Sequence, residues 1–206
     1  MRVLVINYGM GNLASVRRAF EECGAQVLVS ERPTDLETAE RIVLPGVGAF
    51  ADGMKNLRSA GWPAALRETL QNPDVQLLGI CLGMQLLAEV GNEGGFTDGL
   101  GFIPGAVRRL APQREERVPH VGWNEVNPAE DDSLFRGIEA GTDFYFVHSF
   151  AFEPSNPKHV IAKTPYCGEF VSAVRNRNIA GTQFHPEKSS RPGFRLLQNF
   201  LIRTTC

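Results

Sequence analysis

Cysteine is scarce in this 206-residue sequence, and its four copies are widely separated. Cys23, Cys81, Cys167 and Cys206 form no C-x-x-C pair, which argues against a zinc ribbon, a redox dithiol or a disulfide framework. The sequence has no H-E-x-x-H pattern or cluster of histidine and aspartate residues that would indicate a metal site. We therefore expect reduced thiols in a cytoplasmic protein with no metal.

Long apolar runs are also missing. The opening run at 1–6 is too short for the hydrophobic part of a signal peptide, and no later run approaches the roughly 18 apolar residues of a membrane helix. The net charge is −2 and the basic residues are scattered, so a polyanion partner is not favoured. We expect a soluble protein that binds neither membranes nor nucleic acid.

The first half of the chain alternates between two hydrophobic periods. Apolar runs at 3–6, 27–29 and 41–44 predict buried strands, and the spacing from Leu13 to Cys23 predicts a helix between the first two. This order predicts an α/β fold with an open, mostly parallel, flavodoxin-like sheet and helices on both faces. After Gly91, short strand-like runs predict an added antiparallel layer. The length suits one domain over 1–206.

Cys81 lies where a predicted strand, 75–80, gives way to a run of helix formers. Gly79 and Gly83 flank it in a G-x-C-x-G pattern, the cysteine counterpart of the nucleophile elbow. The positive end of the following helix would favour the thiolate, and the Leu82 amide would be an oxyanion donor. The alternative is a buried structural cysteine between two packing glycines.

Among only four histidines, His185 has the surroundings of a general base. It ends an apolar run and is followed by Pro186 and Glu187. Proline disfavours helix at the residue before it, so an extended segment would project residues 185 and 187 to the same side. Glu187 could then orient the imidazole, as in a nucleophile–base–acid triad. The alternative is a surface turn.

The loop Pro45-Gly-Val-Gly-Ala-Phe50 follows the third predicted strand. Its glycines allow backbone amides to approach a ligand at the carboxyl end of a parallel sheet, although a plain turn explains them as well. The dinucleotide fingerprint G-x-G-x-x-G is completed neither here nor at Gly9. We expect no nucleotide cofactor.

Three motifs, in this order and in a parallel α/β context, resemble those of the triad-type (class I) glutamine amidotransferases. They are Pro45-Gly-Val-Gly-Ala-Phe50, Gly79-Ile-Cys-Leu-Gly-Met-Gln85 and Gln183-Phe-His-Pro-Glu-Lys-Ser189. Within that family, three more segments are similar to the glutaminase subunits of imidazole glycerol phosphate synthases: Asn7-Tyr-Gly-Met-Gly-Asn-Leu13, Val118-Pro-His-Val-Gly-Trp-Asn124 and Tyr145-Phe-Val-His-Ser149.

The resemblance implies that glutamine is hydrolysed to glutamate and ammonia, without a cofactor. It further implies a heterodimer in which ammonia passes to a (β/α)8-barrel cyclase subunit that forms imidazole glycerol phosphate in histidine biosynthesis.

The resemblance also implies roles for individual residues. Cys81 would be the nucleophile, His185 the general acid and base, and Glu187 would orient His185.

The amides of Val47 and Leu82 would be the oxyanion donors. The Val47 amide can donate only in one orientation of the flexible Gly46–Val47 peptide. Binding of the cyclase and its ligand would turn that amide inward and activate the enzyme. Glutamine would be held by Gln85 and by the backbone around Gly48, His148, Ser149 and Phe150. At position 150 the family usually has tyrosine. Three further residues would lie near the cyclase: Trp123, Tyr145 and Lys188.

Three alternatives remain at this point. The chain could serve another amidotransferase, such as anthranilate synthase, although the motifs around Trp123 and Tyr145 favour the first assignment. It could be a non-catalytic scaffold on the same fold, which predicts a degraded triad. A stand-alone thiol peptidase or hydrolase would have a similar elbow and need no barrel partner.

Overall fold

A computed structural model describes residues 1–113, 115–129 and 132–202. Its helices are α1 (Leu13–Glu22), α2 (Phe50–Ser59), α3 (Trp62–Thr69), α4 (Leu82–Gln85) and α5 (Ser190–Leu201), with 3-10 turns at Pro33–Thr38, Ser133–Phe135, Pro157–His159 and Pro186–Lys188. Its strands are β1 (Arg2–Ile6), β2 (Gln26–Ser30), β3 (Arg41–Gly46), β4 (Gln76–Cys81), β5 (Val90–Gly91), β6 (Thr97–Asp98), β7 (Gly105–Arg109), β8 (His120–Pro128), β9 (Thr142–His148), β10 (Phe150–Pro154), β11 (Val160–Thr164), β12 (Phe170–Asn176) and β13 (Ile179–Thr182).

A nine-stranded sheet in the order β2-β1-β3-β4-β13-β12-β11-β8-β9 forms the centre of the molecule. The first four pairings, from β2 to β13, are parallel, and the remaining four are antiparallel. A second, smaller sheet has the order β10-β7-β5-β6. The predicted α/β fold is confirmed. Four antiparallel strands, β12, β11, β8 and β9, continue the main sheet, and the second sheet, with antiparallel pairs β10–β7 and β5–β6, forms a smaller added layer.

Alternate residues of β1 show why the parallel half is covered on both faces. Val3 and Val5 pack with residues of α1 and α5, whereas Leu4 and Ile6 pack with residues of α2 and α3. Successive side chains of a strand point to opposite faces, so an unbroken apolar run requires apolar cover on both. The continuous runs in the sequence therefore correspond to a sheet between two layers of helices.

The helices begin and end where local chemistry directs. Asn12 caps α1, and its side chain accepts a hydrogen bond from the Ser15 amide at 3.3 Å. Gly61, with φ of 79°, separates α2 from α3. At the start of α2, the Phe50 amide donates to the Glu93 carboxylate at 2.8 Å.

The helix after Cys81 is shorter than the sequence predicts. It ends at Gln85, and the carbonyls of Leu86, Leu87 and Ala88 accept hydrogen bonds from the amides of residues 100–103 instead of from a continuing helix. A single helical turn has only a small dipole, so any stabilisation of a thiolate at Cys81 depends mainly on neighbouring groups.

The carboxyl ends of three parallel strands meet at one edge of the sheet. Gly46 at the end of β3 pairs with Cys81 at the end of β4, and Ile80 pairs with Thr182 at the end of β13. Ligands of open α/β sheets bind at this edge. The topology thus brings the glycine loop, the elbow and the segment leading to His185 together.

Two further findings concern composition. Within the described residues, Cys23, Cys81 and Cys167 are free thiols, and Cys206 lies outside them. None of the helices described is long and apolar enough to cross a membrane.

Candidate active site

Cys81 occupies a strained strand-to-helix turn, as the G-x-C-x-G pattern predicts. Its φ is 55° and its ψ is −110°, a backbone conformation that non-glycine residues rarely adopt. Both flanking glycines are needed for close packing. A Cβ at Gly79 would lie 2.7 Å from the Gly83 carbonyl oxygen, and one at Gly83 would collide with the Leu44 carbonyl oxygen. The turn is thereby held tightly against β3.

The Cys81 thiol faces polar groups from two other strands or their ends. The Val147 carbonyl oxygen of β9 is 3.8 Å from Sγ, and Gln183 Nε2, just beyond β13, is 3.7 Å from it. Only 6% of Cys81 is exposed. The thiol is thus nearly enclosed and has polar neighbours, unlike a cysteine that only fills apolar space.

His185 and Glu187 form a buried pair beside this thiol. His185 Nδ1 is 2.8 Å from Glu187 Oε1, and the two side chains are 3% and 2% exposed. Since a carboxylate only accepts, Nδ1 carries the proton in this contact. In the described part of the chain, His185 Nε2 is buried without a partner in hydrogen-bond geometry.

The charges around His185 stabilise its protonated form. Burial by itself lowers the pKa of His185, but the favourable interactions of its charged form with Cys81 and Glu187 outweigh burial and raise the pKa to about 9. A buried imidazolium between a thiol and a carboxylate can hold and transfer a proton, the chemistry of a thiol nucleophile and its base.

The local backbone differs from the extended segment expected after His185. His185 itself is extended, with φ of −99° and ψ of 94°, but Pro186 starts a 3-10 turn that carries Glu187. The reason is that proline suits the first position of a helical turn. The turn still brings Glu187 to the imidazole, and Ser189 closes it by donating to the His185 carbonyl at 2.6 Å.

The residues expected to bind glutamine lie around the elbow, but some of their polar groups are already engaged. The Gln85 Nε2 group donates to the Phe150 carbonyl at 2.9 Å and to Gln183 Oε1 at 3.0 Å. The Ser149 carbonyl accepts from the Leu110 amide, and His148 is buried with both ring nitrogens bonded. A ligand in this conformation would therefore depend on other groups of the 148–150 backbone, not on the Gln85 nitrogen.

The two expected oxyanion donors lie on either side of the elbow. Leu82 opens α4 directly after Cys81, and Val47, which is 42% exposed, lies in the loop after β3. Gly46, which precedes Val47, has no room for a side chain because Tyr8 Oη and Leu82 Cβ would contact it. Gly48 has φ of 109°.

The three residues expected at the partner interface lie together on the outer edge of the molecule. Trp123 and Tyr145 pair across β8 and β9 with ring centroids 6.1 Å apart, and Lys188 Nζ lies 5.8 Å from the centre of the Tyr145 ring. Val121 pairs with Val147 on the same ribbon, and Val121, Trp123 and Val147 are 57%, 52% and 36% exposed. We call these five residues the ribbon patch.

Three polar side chains near the site have no role in the sequence-based prediction. Tyr8 Oη is buried without a hydrogen-bond partner among the described residues, and burial together with the nearby Cys81 raises the pKa of its phenol. Gln183 touches the thiol, although the sequence shows it only as the first letter of a motif. His120 bonds to His148 because β8 and β9 pair these two residues.

A buried thiol on a strained elbow, an imidazole and a carboxylate at the edge of a mixed sheet define an α/β protein equipped for cysteine chemistry. The family model of class-I glutamine amidotransferases matches residues 4–204, and the chain belongs to that family. No group of three or more histidine, cysteine, aspartate or glutamate residues that could hold a metal occurs in the described ranges.

The chain is also similar to individual proteins of known name and to solved structures. The chain is 48% identical to the imidazole glycerol phosphate synthase subunit HisH of Moorella thermoacetica over 96% of this chain and 93% of that protein. It is 45% identical to the HisH 1 subunit of Campylobacter jejuni, covering 96% and 98%. Among solved structures, PurLQS from Thermotoga maritima matches with a TM-score of 0.74 and 19% identity, covering 97% of each chain, and shows the same fold.

Proposed function

We propose that this chain is the glutaminase subunit of an imidazole glycerol phosphate synthase. It hydrolyses glutamine to glutamate and ammonia and delivers the ammonia to a cyclase subunit. The observation that carries the glutaminase chemistry is the buried His185–Glu187 pair, with its raised pKa, beside Cys81. The HisH subunits that it resembles over nearly its whole length support the choice of synthase.

The first chemical step forms a thioester. His185 holds the proton of the Cys81 thiol, and the thiolate attacks the carboxamide carbon of glutamine. The carbonyl oxygen takes up the electron pair and accepts hydrogen bonds from the amides of Leu82 and Val47. As the electrons return, the carbon–nitrogen bond breaks, and the leaving nitrogen takes the proton from His185 to form ammonia.

The second step regenerates the thiol. His185, now neutral, removes a proton from water, whose oxygen attacks the thioester carbon. The carbon–sulfur bond breaks, Cys81 recovers a proton from His185, and glutamate leaves. Glu187 remains ionised throughout and keeps the Nδ1 proton of His185 in place.

The position of the ribbon patch supports delivery of ammonia to a partner. The carbonyl of Val147 touches the Cys81 thiol, whereas its side chain belongs to the exposed patch. The amide of His185 also donates to the Tyr145 carbonyl at 2.9 Å. A cyclase seated on this apolar surface would lie directly beside the reacting atoms, so released ammonia would travel a short way before reaching it.

The nearly enclosed thiol supports low glutaminase activity in the isolated subunit. A partner that turns the Val47 amide toward the substrate would supply an oxyanion donor, and one such donor is worth on the order of 10²–10³ in rate. We therefore expect the isolated chain to turn glutamine over at least about 10²-fold more slowly than the complex.

The test is release of labelled glutamate from glutamine by the chain alone, with the cyclase subunit, and with that subunit plus its nucleotide substrate. Cys81→Ala is the blank. Strong turnover only in the full mixture, absent in the variant, is the expected result. Equal turnover without the partner would identify an independent glutaminase, and none in any mixture would contradict the assignment.

A further inference from the structure

Gln183 is buried between the nucleophile and the segment expected to hold glutamine. It follows β13, is fully shielded from solvent, and contacts Cys81 Sγ through Nε2 and Gln85 through Oε1. An amide oxygen and nitrogen are interchangeable in shape, so the direction of these hydrogen bonds has to be deduced from their partners.

The Phe150 carbonyl determines that direction. A carbonyl only accepts, so Gln85 presents its NH2 group to Phe150 at 2.9 Å. The same NH2 group faces Gln183 at 3.0 Å, which means that Gln183 presents its oxygen to Gln85. The NH2 group of Gln183 then has to point at Cys81 Sγ, 3.7 Å away. The opposite orientation of Gln183 would place two NH2 groups against each other.

A second chain of hydrogen bonds reaches the Phe150 carbonyl from the other side. His148 Nδ1 is 2.8 Å from this oxygen and must donate to it. In a neutral His148, Nε2 accepts, so His120 Nδ1 donates to it across 3.0 Å. His120 Nε2 then accepts from Asn124, 3.3 Å away. Burial lowers the pKa of His120 to about 4 and that of His148 to about 3, which supports the neutral forms at pH 7.

We propose that Gln183 is a positioning residue that donates a hydrogen bond to the Cys81 sulfur, with its orientation set through Gln85 by the Phe150 carbonyl. An N–H aimed at sulfur favours the thiolate over the thiol and holds the sulfur in one place. The same carbonyl belongs to the backbone segment expected to bind glutamine. One acceptor thus aligns the nucleophile with the substrate segment. This inference deepens the proposed function and rests on it.

The test is the rate at which iodoacetamide alkylates Cys81 in the full chain as a function of pH, with Cys81 distinguished from the other thiols by mass spectrometry of its peptide. Gln183→Met keeps the length of the side chain and removes the donor. We expect the pH profile to move to higher pH by about one unit, so that alkylation at pH values below the midpoint slows about tenfold. The matched control is Gln198→Met, at an exposed position of α5, and its profile should coincide with that of the wild type.

A second variant covers the case in which Gln183→Met fails to fold. Gln183→Glu has nearly the same shape but replaces the donor with an oxygen that repels a thiolate, so its midpoint should rise further. Steady-state turnover in the complex with the cyclase gives an independent readout. For either variant, kcat should fall about tenfold or more while KM stays near its wild-type value, because Gln183 acts on the nucleophile.

A folded Gln183→Met protein with the wild-type alkylation profile would overturn the inference. That outcome is distinguishable from failure of the proposed function. If the wild-type complex does not release glutamate, the glutaminase assignment fails, yet a shift in the alkylation profile between wild type and variant would still support the contact between Gln183 and Cys81.

Discussion

His185 and His148 are both buried in the same site, yet their protonation differs. Each binds a fixed acceptor through Nδ1 at 2.8 Å: Glu187 for His185 and the Phe150 carbonyl for His148. The pKa of His185 is raised to about 9, whereas burial lowers that of His148 to about 3, with the nearby His120 and His185 lowering it further. The comparison shows that burial alone does not determine the protonation state of a histidine. The charge of the groups around the imidazole determines whether it keeps a second proton.

The two states suit two roles. An imidazole that keeps a proton near neutral pH can protonate a leaving group. An imidazole that stays neutral has one nitrogen that donates and one that accepts, so it can only link a donor on one side to an acceptor on the other. The following predictions test whether this division holds.

The largest difference should appear in turnover. His185→Gln removes the acid and base, and we expect glutamate release by the complex to fall by about 10²–10⁴-fold. His148→Gln keeps a side chain that can donate to the Phe150 carbonyl, so its loss should be much smaller, about tenfold or less. The measurement is steady-state glutaminase activity with the cyclase and its substrate. Equal losses in the two variants would erase the distinction.

The next effect concerns stability at high pH. Because the folded pKa of His185 lies above its ordinary value of 6.5, its contribution to stability is complete below pH 6.5 and is lost as pH rises toward about 9. The whole shift is worth about 3 kcal/mol, of which Cys81 and Glu187 each contribute a share. We expect Glu187→Gln, compared in a Cys81→Ser background, to remove part of this dependence.

Urea denaturation at pH 6.5 and pH 9 measures this pH dependence of the unfolding free energy. The decrease in unfolding free energy between these two values should be smaller in the Cys81→Ser, Glu187→Gln protein than in Cys81→Ser alone. If both proteins lose the same free energy, Glu187 does not hold the proton on His185.

The smallest effect should appear in acid. His120 and His148 are neutral when folded but take up protons when unfolded, so their stability contribution is present above about pH 6.5 and is lost as pH falls toward 4. His120→Phe keeps an aromatic ring between Phe146 and Tyr166, which stack on His120. It should lower the unfolding free energy by about 1–3 kcal/mol at pH 7, because the His148 acceptor is left unpaired.

The stability of the His120→Phe protein should nevertheless depend less on acid than that of the wild type. Thermal unfolding between pH 7 and pH 4.5 should show a smaller decrease in Tm for His120→Phe than for the wild type, since one of the two titrating groups is gone. Parallel curves for the two proteins would mean that His120 is not kept neutral by the fold.

Much of the fold could be predicted from local patterns. Apolar runs at 3–6 and 41–44 and the helical spacing after Leu13 are signals within a few residues, and they correspond to β1, β3 and α1. The end of α4 at Gln85 could not be predicted, because the groups that replace its hydrogen bonds come from residues 100–103. Helix length there depends on a distant segment and not on propensity.

The candidate site divides in the same way. Cys81 with its glycines and His185 with Glu187 are recognisable because each pair of partners is only two residues apart. Gln183 and His120 were missed because they act on partners 102 and 28 residues away. A register shift of one residue between β8 and β9 would turn His120 away from His148, so this contact exists only in the assembled sheet.

The sequence by itself determined the alternation of strands and helices, the strained elbow at Cys81 and the neighbourhood of His185 and Glu187, since each follows from the chemistry of adjacent residues. Only the tertiary structure decided that four antiparallel strands extend the main sheet, that Gln183 points its NH2 group at the thiol, and that one buried histidine is charged while another is neutral. Those outcomes depend on which groups meet across the sheet, and short-range preferences do not encode such pairings.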